Sequence, residues 1–157
     1  MAVLDASEVF KVAITIEANG EALYRHAETL TDDPKTRDIF AFLAGEEAKH
    51  KKVFEEMVRG LATYVPTEDY PGEYIAYLRA YADNIVFPPE EMQDEIEDLC
   101  DAEDAVDFAM QREIESILYY IEIKSAVAGA RADEVDRIIA EERKHYLQLA
   151  EVKKTLD

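Results

Sequence analysis

Cysteine is almost absent from this chain, which has only Cys100 among its 157 residues. A single thiol excludes a disulfide within the chain, and it also excludes a four-cysteine iron or zinc centre. Cys100 ends an acidic segment, and we expect a plain buried or inert thiol there rather than a redox group. Any metal chemistry in this protein must therefore depend on oxygen and nitrogen ligands.

Basic residues are also scarce, with 17 Lys and Arg against 36 Asp and Glu, a formal net charge of −19. This charge argues against binding to nucleic acid or to an anionic membrane surface, because both need basic side chains. It favours small cations instead. No apolar run approaches 18 residues, so no membrane span is predicted. The start of the sequence lacks the features of a signal peptide, and we expect a cytoplasmic protein.

Helical periodicity dominates what is present. Four long segments place apolar residues at spacings of three and four, at about 6–30, 34–58, 102–129 and 133–154. Asp5 and Glu8 have the spacing of a capping box, and Asp33 before Pro34 predicts an N-cap. Between the second and third long helices, shorter helical patterns cover about 73–86 and 90–99, after a Pro-containing linker at 62–72.

The lengths of the connections predict the topology. Two short connections flank one long one, and a helix of about 25 residues spans roughly 38 Å, so a returning segment must be long. We therefore predict an all-α, ferritin-like four-helix bundle with one long crossover containing short helices. A single domain would cover residues 1–157, with helical hairpins at about 6–60 and 102–155 and a connector at about 61–101.

The two hairpins repeat each other. The segment around Glu17 aligns with that around Glu113, an offset of 96 residues, and Glu47 with its following His50 aligns with Glu142 and His145, an offset of 95. Such a duplication predicts a bundle with pseudo-two-fold symmetry. A site on that axis would receive equivalent ligands from both halves.

The repeated residues interrupt the apolar faces of the helices. One Glu lies on the inner face of the first and third long helices, and a Glu-x-x-His pair lies on that of the second and fourth. The six residues are Glu17, Glu47, His50, Glu113, Glu142 and His145. Small residues flank each single Glu and leave room for ions: Ala13, Gly20, Ala109 and Ser116. Four buried carboxylates are unfavourable without compensation, and two divalent cations would neutralise them. Ligands rich in oxygen with one imidazole per ion favour iron, with manganese as the alternative.

This pattern resembles the rubrerythrin branch of the ferritin-like superfamily over essentially the whole chain. The resemblance implies these roles: bridging or chelating carboxylates at Glu47 and Glu142, terminal ligands at His50 and His145, and further carboxylate ligands at Glu17 and Glu113. It also implies a di-iron centre that reduces hydrogen peroxide, or activates dioxygen, while Fe(II) is oxidised.

Two departures from the family pattern matter. Typical rubrerythrins carry an additional Glu three residues after the third-helix ligand, where this chain has Ser116, and Gly20 holds the equivalent place in the first helix. Classical members also carry a four-cysteine rubredoxin domain, for which this chain has no cysteines. Electrons would therefore come from a separate donor protein.

The predicted function is a non-haem di-iron oxidoreductase, acting on peroxide or dioxygen as a small-molecule oxidant. The alternatives are a ferritin-type protein that stores or sequesters iron, and a metal-structured binding partner without turnover. We also expect a homodimer or a larger homo-oligomer. Solution mass would separate storage from the other two, because storage requires a large hollow shell.

Some other polar residues have weaker claims. Tyr24 and Tyr120 each follow a single-Glu position by seven residues, and either a hydrogen bond to a ligand carboxylate or plain core packing would explain them. Glu46 and Glu141 precede the Glu-x-x-His pairs and most simply face solvent. His26 lies off the ligand face and is predicted at the surface. The tyrosines of the connector at positions 70, 74, 77 and 81 have helical spacing, which predicts packing against the bundle or a partner subunit.

Overall fold

A computed structural model of the chain describes residues 6–60, 72–125 and 130–156. Over these ranges the chain forms six α-helices, one short 3-10 helix and no strand. The helices are α1 (Ala6–Ala27), α2 (Pro34–Gly60), α3 (Gly72–Ile85), α4 (Pro89–Glu97), α5 (Ala102–Lys124) and α6 (Ala130–Leu156). The all-α prediction is confirmed.

The bundle is built from two hairpins. The pairs α1–α2 and α5–α6 pack along each other, α1 also packs on α5, and α2 also packs on α6. The connector returns across the bundle, with α3 against α5 and α4 against α1. This is the predicted ferritin-like arrangement of two helical hairpins joined by one long crossover.

Several helix ends follow the sequence signals. The side chain of Asp33 accepts hydrogen bonds from the backbone N–H of Thr36 at 2.9 Å and from its hydroxyl at 2.7 Å, so Asp33 is the predicted N-cap of α2. Asp101 caps α5 in the same way, accepting from the N–H of Asp104 at 2.9 Å. The capping box predicted at Asp5 lies outside the described residues, as does most of the predicted linker at 62–72.

Other helix ends differ from the prediction. The α-helical part of α1 ends at Ala27, and the 3-10 turn Glu28–Leu30 continues it to the predicted boundary. Helix α6 begins at Ala130, three residues before the predicted start at Asp133. The described part of α5 ends at Lys124, and the predicted extension to Gly129 runs into residues 126–129, which lie outside the described ranges.

Two apolar clusters lie at different heights in the bundle. One contains Phe10, Phe54 and Tyr120, and the other contains Phe40 and Leu149. Both draw side chains from all four long helices. The polar residues of the predicted site lie in the layer between them, so apolar packing covers the site from above and below.

The connector is anchored to the bundle by polar and aromatic contacts. The Tyr74 and Tyr81 hydroxyls donate hydrogen bonds to backbone carbonyls of α5, and the Asn19 amide of α1 donates to the Phe87 carbonyl at 2.9 Å. The rings of Tyr81 and Tyr119 lie 5.6 Å apart. Tyr74 and Tyr81 thus pack on the bundle as expected. The Tyr77 side chain is 50% exposed, and Tyr70 lies outside the described residues. In the described part of the chain, no helix is both long and apolar enough to cross a bilayer.

Candidate metal centre

Six polar side chains converge at the middle of the bundle, one from each of α1 and α5 and two from each of α2 and α6. They are Glu17, Glu47, His50, Glu113, Glu142 and His145. Their exposed fractions lie between 0% and 4%, the range of the apolar core. The three-residue spacing of the Glu and His on α2 and on α6 makes both side chains of a pair project from one helix face. The structure thus brings together all six residues predicted from the sequence.

Both imidazoles direct Nδ1 toward the carboxylates. The Nδ1 of His50 lies 2.7 Å from Oε1 of Glu142 and 3.5 Å from Oε2 of Glu17. The Nδ1 of His145 lies 3.1 Å from Oε1 of Glu47 and 3.4 Å from Oε2 of Glu142. The two rings face each other with centroids 5.6 Å apart. One nitrogen donor is therefore available on each side of the shared carboxylates.

The six residues form two overlapping groups, each with ligand atoms within 4.8 Å of one another. One group is Glu17, Glu47, His50 and Glu142, and the other is Glu47, Glu113, Glu142 and His145. Only the carboxylates of Glu47 and Glu142 belong to both groups. A pair of ions would share these two carboxylates, and each ion would keep one further Glu and one His.

Unsatisfied atoms in the cluster support this fit. Each of the six residues has one buried side-chain atom without a hydrogen-bond partner among the described residues: Oε2 of Glu17 and Glu113, Oε1 of Glu47 and Glu142, and Nδ1 of His50 and His145. Buried polar atoms normally have hydrogen-bond partners, so six atoms without one at a single point need an explanation, even though both imidazoles lie within ion-pair distance of carboxylates. Metal coordination would satisfy all of them, and a dinuclear metal centre therefore fits the residues present.

The titration of the metal-free cluster reflects the crowding of its charges. Burial raises the pKa of Glu47 and of Glu113 well above the usual glutamate value, and the neighbouring carboxylates raise it further. Burial acts in the same direction on Glu142, but close contacts with Glu113 and both imidazoles hold its pKa well below the usual value. Burial opposes the charged form of His50, yet its close contacts with the carboxylates of Glu142 and Glu17 raise its pKa to about 11. Without cations, protons compensate the buried charge.

Two tyrosines connect the halves of the bundle through the cluster. Tyr24 of α1 donates a hydrogen bond to Oε1 of Glu113 on α5, and Tyr120 of α5 donates one to Oε1 of Glu17 on α1. Of the two explanations left open by the sequence, the structure supports the hydrogen bond to a candidate ligand. Each tyrosine bonds the carboxylate of the opposite helix, and both phenols are fully buried. Burial and the adjacent carboxylates raise the pKa of both phenols, so they remain protonated donors.

Glu141 has a role that the sequence interpretation missed. It was expected to face solvent, but its Oε2 lies 2.6 Å from Nε2 of His50. A carboxylate at the outer nitrogen of a metal-binding imidazole fixes the ring and its tautomer. Glu46, at the equivalent position in the other half, contacts the ammonium of Lys49 at 2.7 Å instead. The sequence feature that could have indicated this role is the Glu that directly precedes the Glu-x-x-His pair in both halves.

A small cavity reaches the cluster from the connector side. Its volume is about 40 Å³, room for about three water-sized molecules. Glu47 and Glu113 line one part of it, Gly20 and Ser116 lie beside them, and mainly apolar side chains of the connector and α1 line the rest. A Cβ atom at Gly20 would lie 2.8 Å from Oε2 of Glu47, so glycine is required for the observed position of this carboxylate.

Cys100 and His26 lie outside the cluster. The thiol of Cys100 is exposed, so of the expected buried or inert thiol the buried alternative is wrong. The acidic segment before α5 lies at the bundle surface, and this places the thiol in solvent. His26 is half-buried rather than fully at the surface. No metal-ligand group of the described residues includes either of them.

One buried point that receives Glu, Glu-x-x-His, Glu and Glu-x-x-His from four helices is the arrangement of dinuclear carboxylate bundles. Fold and cluster together thus define a ferritin-like protein of the dinuclear carboxylate class. The Rubrerythrin family model matches residues 8–153, and the chain belongs to the rubrerythrin family.

A solved structure supports the fold. The chain is similar to a Thermotoga maritima protein described as ferritin-like and diiron-carboxylate, with a TM-score of 0.67 and 23% sequence identity. The match covers 100% of this chain and 99% of the other. At this identity the similarity concerns the fold. None of the curated proteins matches the chain.

Proposed function

We propose that this protein holds two iron ions at the six converging residues and oxidises Fe(II) while reducing hydrogen peroxide or dioxygen. The observation that carries this proposal is the set of six buried ligand atoms, one from each residue, that have no hydrogen-bond partner in the described part of the chain. Four carboxylates and two imidazoles form a hard, oxygen-rich ligand set that suits iron or manganese. A closed structural zinc site would instead use thiolate ligands.

Two bound Fe(II) ions would supply the two electrons that convert one hydrogen peroxide and two protons into two waters. The chain's own residues would orient the centre and limit its access. Tyr24 and Tyr120 hold the outer carboxylates of Glu113 and Glu17, and Glu141 holds the ring of His50. The apolar clusters above and below exclude bulk water from the centre.

The cavity beside Glu47 and Glu113 supports a small oxidant. Its volume of about 40 Å³ matches a few water-sized molecules, and peroxide or dioxygen has two heavy atoms. Small side chains at Gly20 and Ser116 keep this part of the centre open. A bulky organic substrate would need the connector to move.

Anaerobic loading with Fe(II), followed by separate exposure to dioxygen and to peroxide, tests the proposal. We expect two Fe(II) per chain and near-ultraviolet absorption of Fe(III) that rises faster than in free iron at the same concentration. The double variant Glu47→Ala/Glu142→Ala should bind no iron at the centre, because it removes both shared carboxylates. The control Glu56→Ala/Glu134→Ala makes the same change in net charge at exposed positions on the same helices.

The outcomes separate the alternatives. Faster oxidation by peroxide than by dioxygen would identify a peroxidase, and sustained turnover would require an added reductant as electron donor. Iron accumulation far beyond two per chain, in a large assembly, would indicate storage. Two tightly bound Fe(II) ions in the Glu47→Ala/Glu142→Ala variant would refute the assigned site.

A further inference from the structure

A second cavity opens from solvent between α2 and α6, on the outer side of the imidazoles. It has a volume of about 460 Å³. Its lining residues are Phe42, Glu46, Glu141, Lys144, His145, Leu147 and Gln148, and we call it the outer groove. The outer groove has no role in the proposed reaction.

His145 forms the floor of the outer groove. Its side chain is only 2% exposed, and its Nδ1 faces the inner carboxylates, at 3.1 Å from Oε1 of Glu47. No hydrogen bond to its Nε2 occurs among the described residues, in contrast to Nε2 of His50, which Glu141 holds. A single imidazole ring therefore separates the groove from the candidate metal centre, and none of the hydrogen bonds in the described ranges involves its outer nitrogen.

Two carboxylates stand above this floor. Oxygens of Glu46 and Glu141 lie within 4.8 Å of each other and of a nitrogen of His50, a spacing at which one divalent cation can contact all three groups. The side chains of Glu46 and Glu141 are 16% and 34% exposed, so solvent reaches them, whereas the inner carboxylates are at most 4% exposed.

We propose that the outer groove is the route by which divalent cations reach the centre. Glu46 and Glu141 capture the cation from solvent, and it passes His145 to the carboxylates of Glu47 and Glu142. This inference rests on the proposed function, because it assumes a centre that binds metal. Glu46 and Glu141 are both charged and accessible, which the buried carboxylates are not. Their two negative charges exceed the single positive charge of Lys144 in the lining, and a cleft of net negative charge raises the local concentration of cations.

Lys49 restrains this route. Its ammonium lies 2.7 Å from Oε1 of Glu46, and its side chain is 72% exposed. The pseudo-symmetric partner of the Glu141–His50 contact would join Glu46 to His145, but Glu46 bonds Lys49 instead. An arriving cation must displace Lys49 from Glu46, and the exposed lysine can turn into solvent at little cost. Lys144 also lines the groove and is exposed, so it can move aside in the same way.

Loading kinetics with Co(II) test this route without any enzymatic readout. The chain has nine tyrosines and no tryptophan, and Tyr24 and Tyr120 bond carboxylates of the centre. Arrival of Co(II) at the centre should therefore quench tyrosine fluorescence. The variant Glu46→Gln should load about 10-fold more slowly, at the low end of electrostatic focusing effects. It should still bind two Co(II), because Glu46 belongs to neither ligand group of the centre and Glu141 still holds the His50 ring.

Matched controls separate the local route from general charge attraction. Glu56→Gln changes the net charge equally at an exposed position of the same helix outside the groove and should load like the wild type. Lys49→Gln should load faster because it frees Glu46, and it should exceed Lys52→Gln, which removes an exposed lysine of α2 elsewhere.

The results discriminate between the two proposals. Slow loading of Glu46→Gln with two Co(II) at the end point supports the route. If the wild type binds two Co(II) and this variant loads at the rate of its control, the route is overturned and the metal centre stands. If the wild type binds no Co(II) at all, both proposals are overturned.

Discussion

Gly20→Ala should stabilise the metal-free protein and weaken the metal-loaded one. Gly20 lies within α1, where alanine is favoured over glycine by about 1 kcal/mol. The added Cβ would lie 2.8 Å from Oε2 of Glu47 and 3.2 Å from its Cδ and Cγ. The neighbour is the far end of a flexible side chain, so in the absence of metal the carboxylate can turn away.

The displacement is large for a coordination site. Ordinary contacts of a Cβ atom begin at 3.4 Å, so the Glu47 oxygen must move by about 0.6 Å, which exceeds the roughly 0.5 Å tolerance of such sites. Glu47 belongs to both ligand groups, and its displacement affects both ions. We expect metal affinity to fall about 10-fold to 100-fold, comparable to the loss of an outer-shell partner. That corresponds to about 1.4–2.8 kcal/mol per ion.

Thermal unfolding with and without metal is the assay, and Gly45→Ala is the control. Gly45 is also inside a helix, but a Cβ there meets nothing within 4 Å. For a protein of this size, 1 kcal/mol corresponds to about 2–4 °C in Tm. Gly45→Ala should raise Tm by this amount in both states. Without metal, Gly20→Ala should raise Tm by no more than Gly45→Ala does. With metal, Gly20→Ala should have a lower Tm than the wild type. Wild-type Co(II) affinity in Gly20→Ala would refute the reasoning.

The remaining predictions concern hydrogen bonding and pH. Tyr120→Phe removes the hydrogen bond to the carboxylate of Glu17 and should weaken Co(II) binding about 10-fold or more in a titration. The control Tyr119→Phe loses a hydrogen bond to a backbone carbonyl and should cost only about 1 kcal/mol of stability. Equal Co(II) affinities of the two variants would contradict this prediction. The Tm of the metal-free protein should fall from pH 5 to 9, because the pKa values of Glu47, Glu113 and His50 are raised in the folded state. The stability that their protonation contributes is complete below the ordinary pKa values of 4.5 and 6.5 and declines as the pH rises toward the folded-state values. Metal affinity should rise over the same range, and a metal-free Tm that rises instead would show that the cluster does not hold these protons.

The sequence was sufficient for the fold and for the convergence of six polar residues. Helical periodicity, the Asp33 cap and one long connection determine the bundle, because each depends on local spacing. The repeat of Glu-x-x-His in both halves predicted that the pairs would meet, since pseudo-symmetric hairpins place equivalent residues near one axis. The ligand assignment itself stays a prediction until metal is measured.

Specific side-chain contacts between helices could not be predicted from the sequence. The bond from Glu141 to His50 depends on the rotation of α6 against α2, and no local pattern fixes that rotation. The two tyrosines were recognised by spacing, but the crossing of their bonds to the opposite helix required coordinates. The exposure of Cys100 likewise depends on how the segment before α5 lies on the bundle.

The crossed tyrosine bonds have a consequence for assembly. Tyr24 and Glu113 are 89 positions apart, and Tyr120 and Glu17 are 103 apart, so each contact spans both hairpins. Neither hairpin alone supplies both the carboxylate and the phenol that holds it. The centre is therefore completed only when the two halves dock, and contacts of such long sequence separation form late in folding. Bound metal would then stabilise the docked state of the two hairpins. Its removal would weaken the packing between the hairpins before either hairpin unfolds.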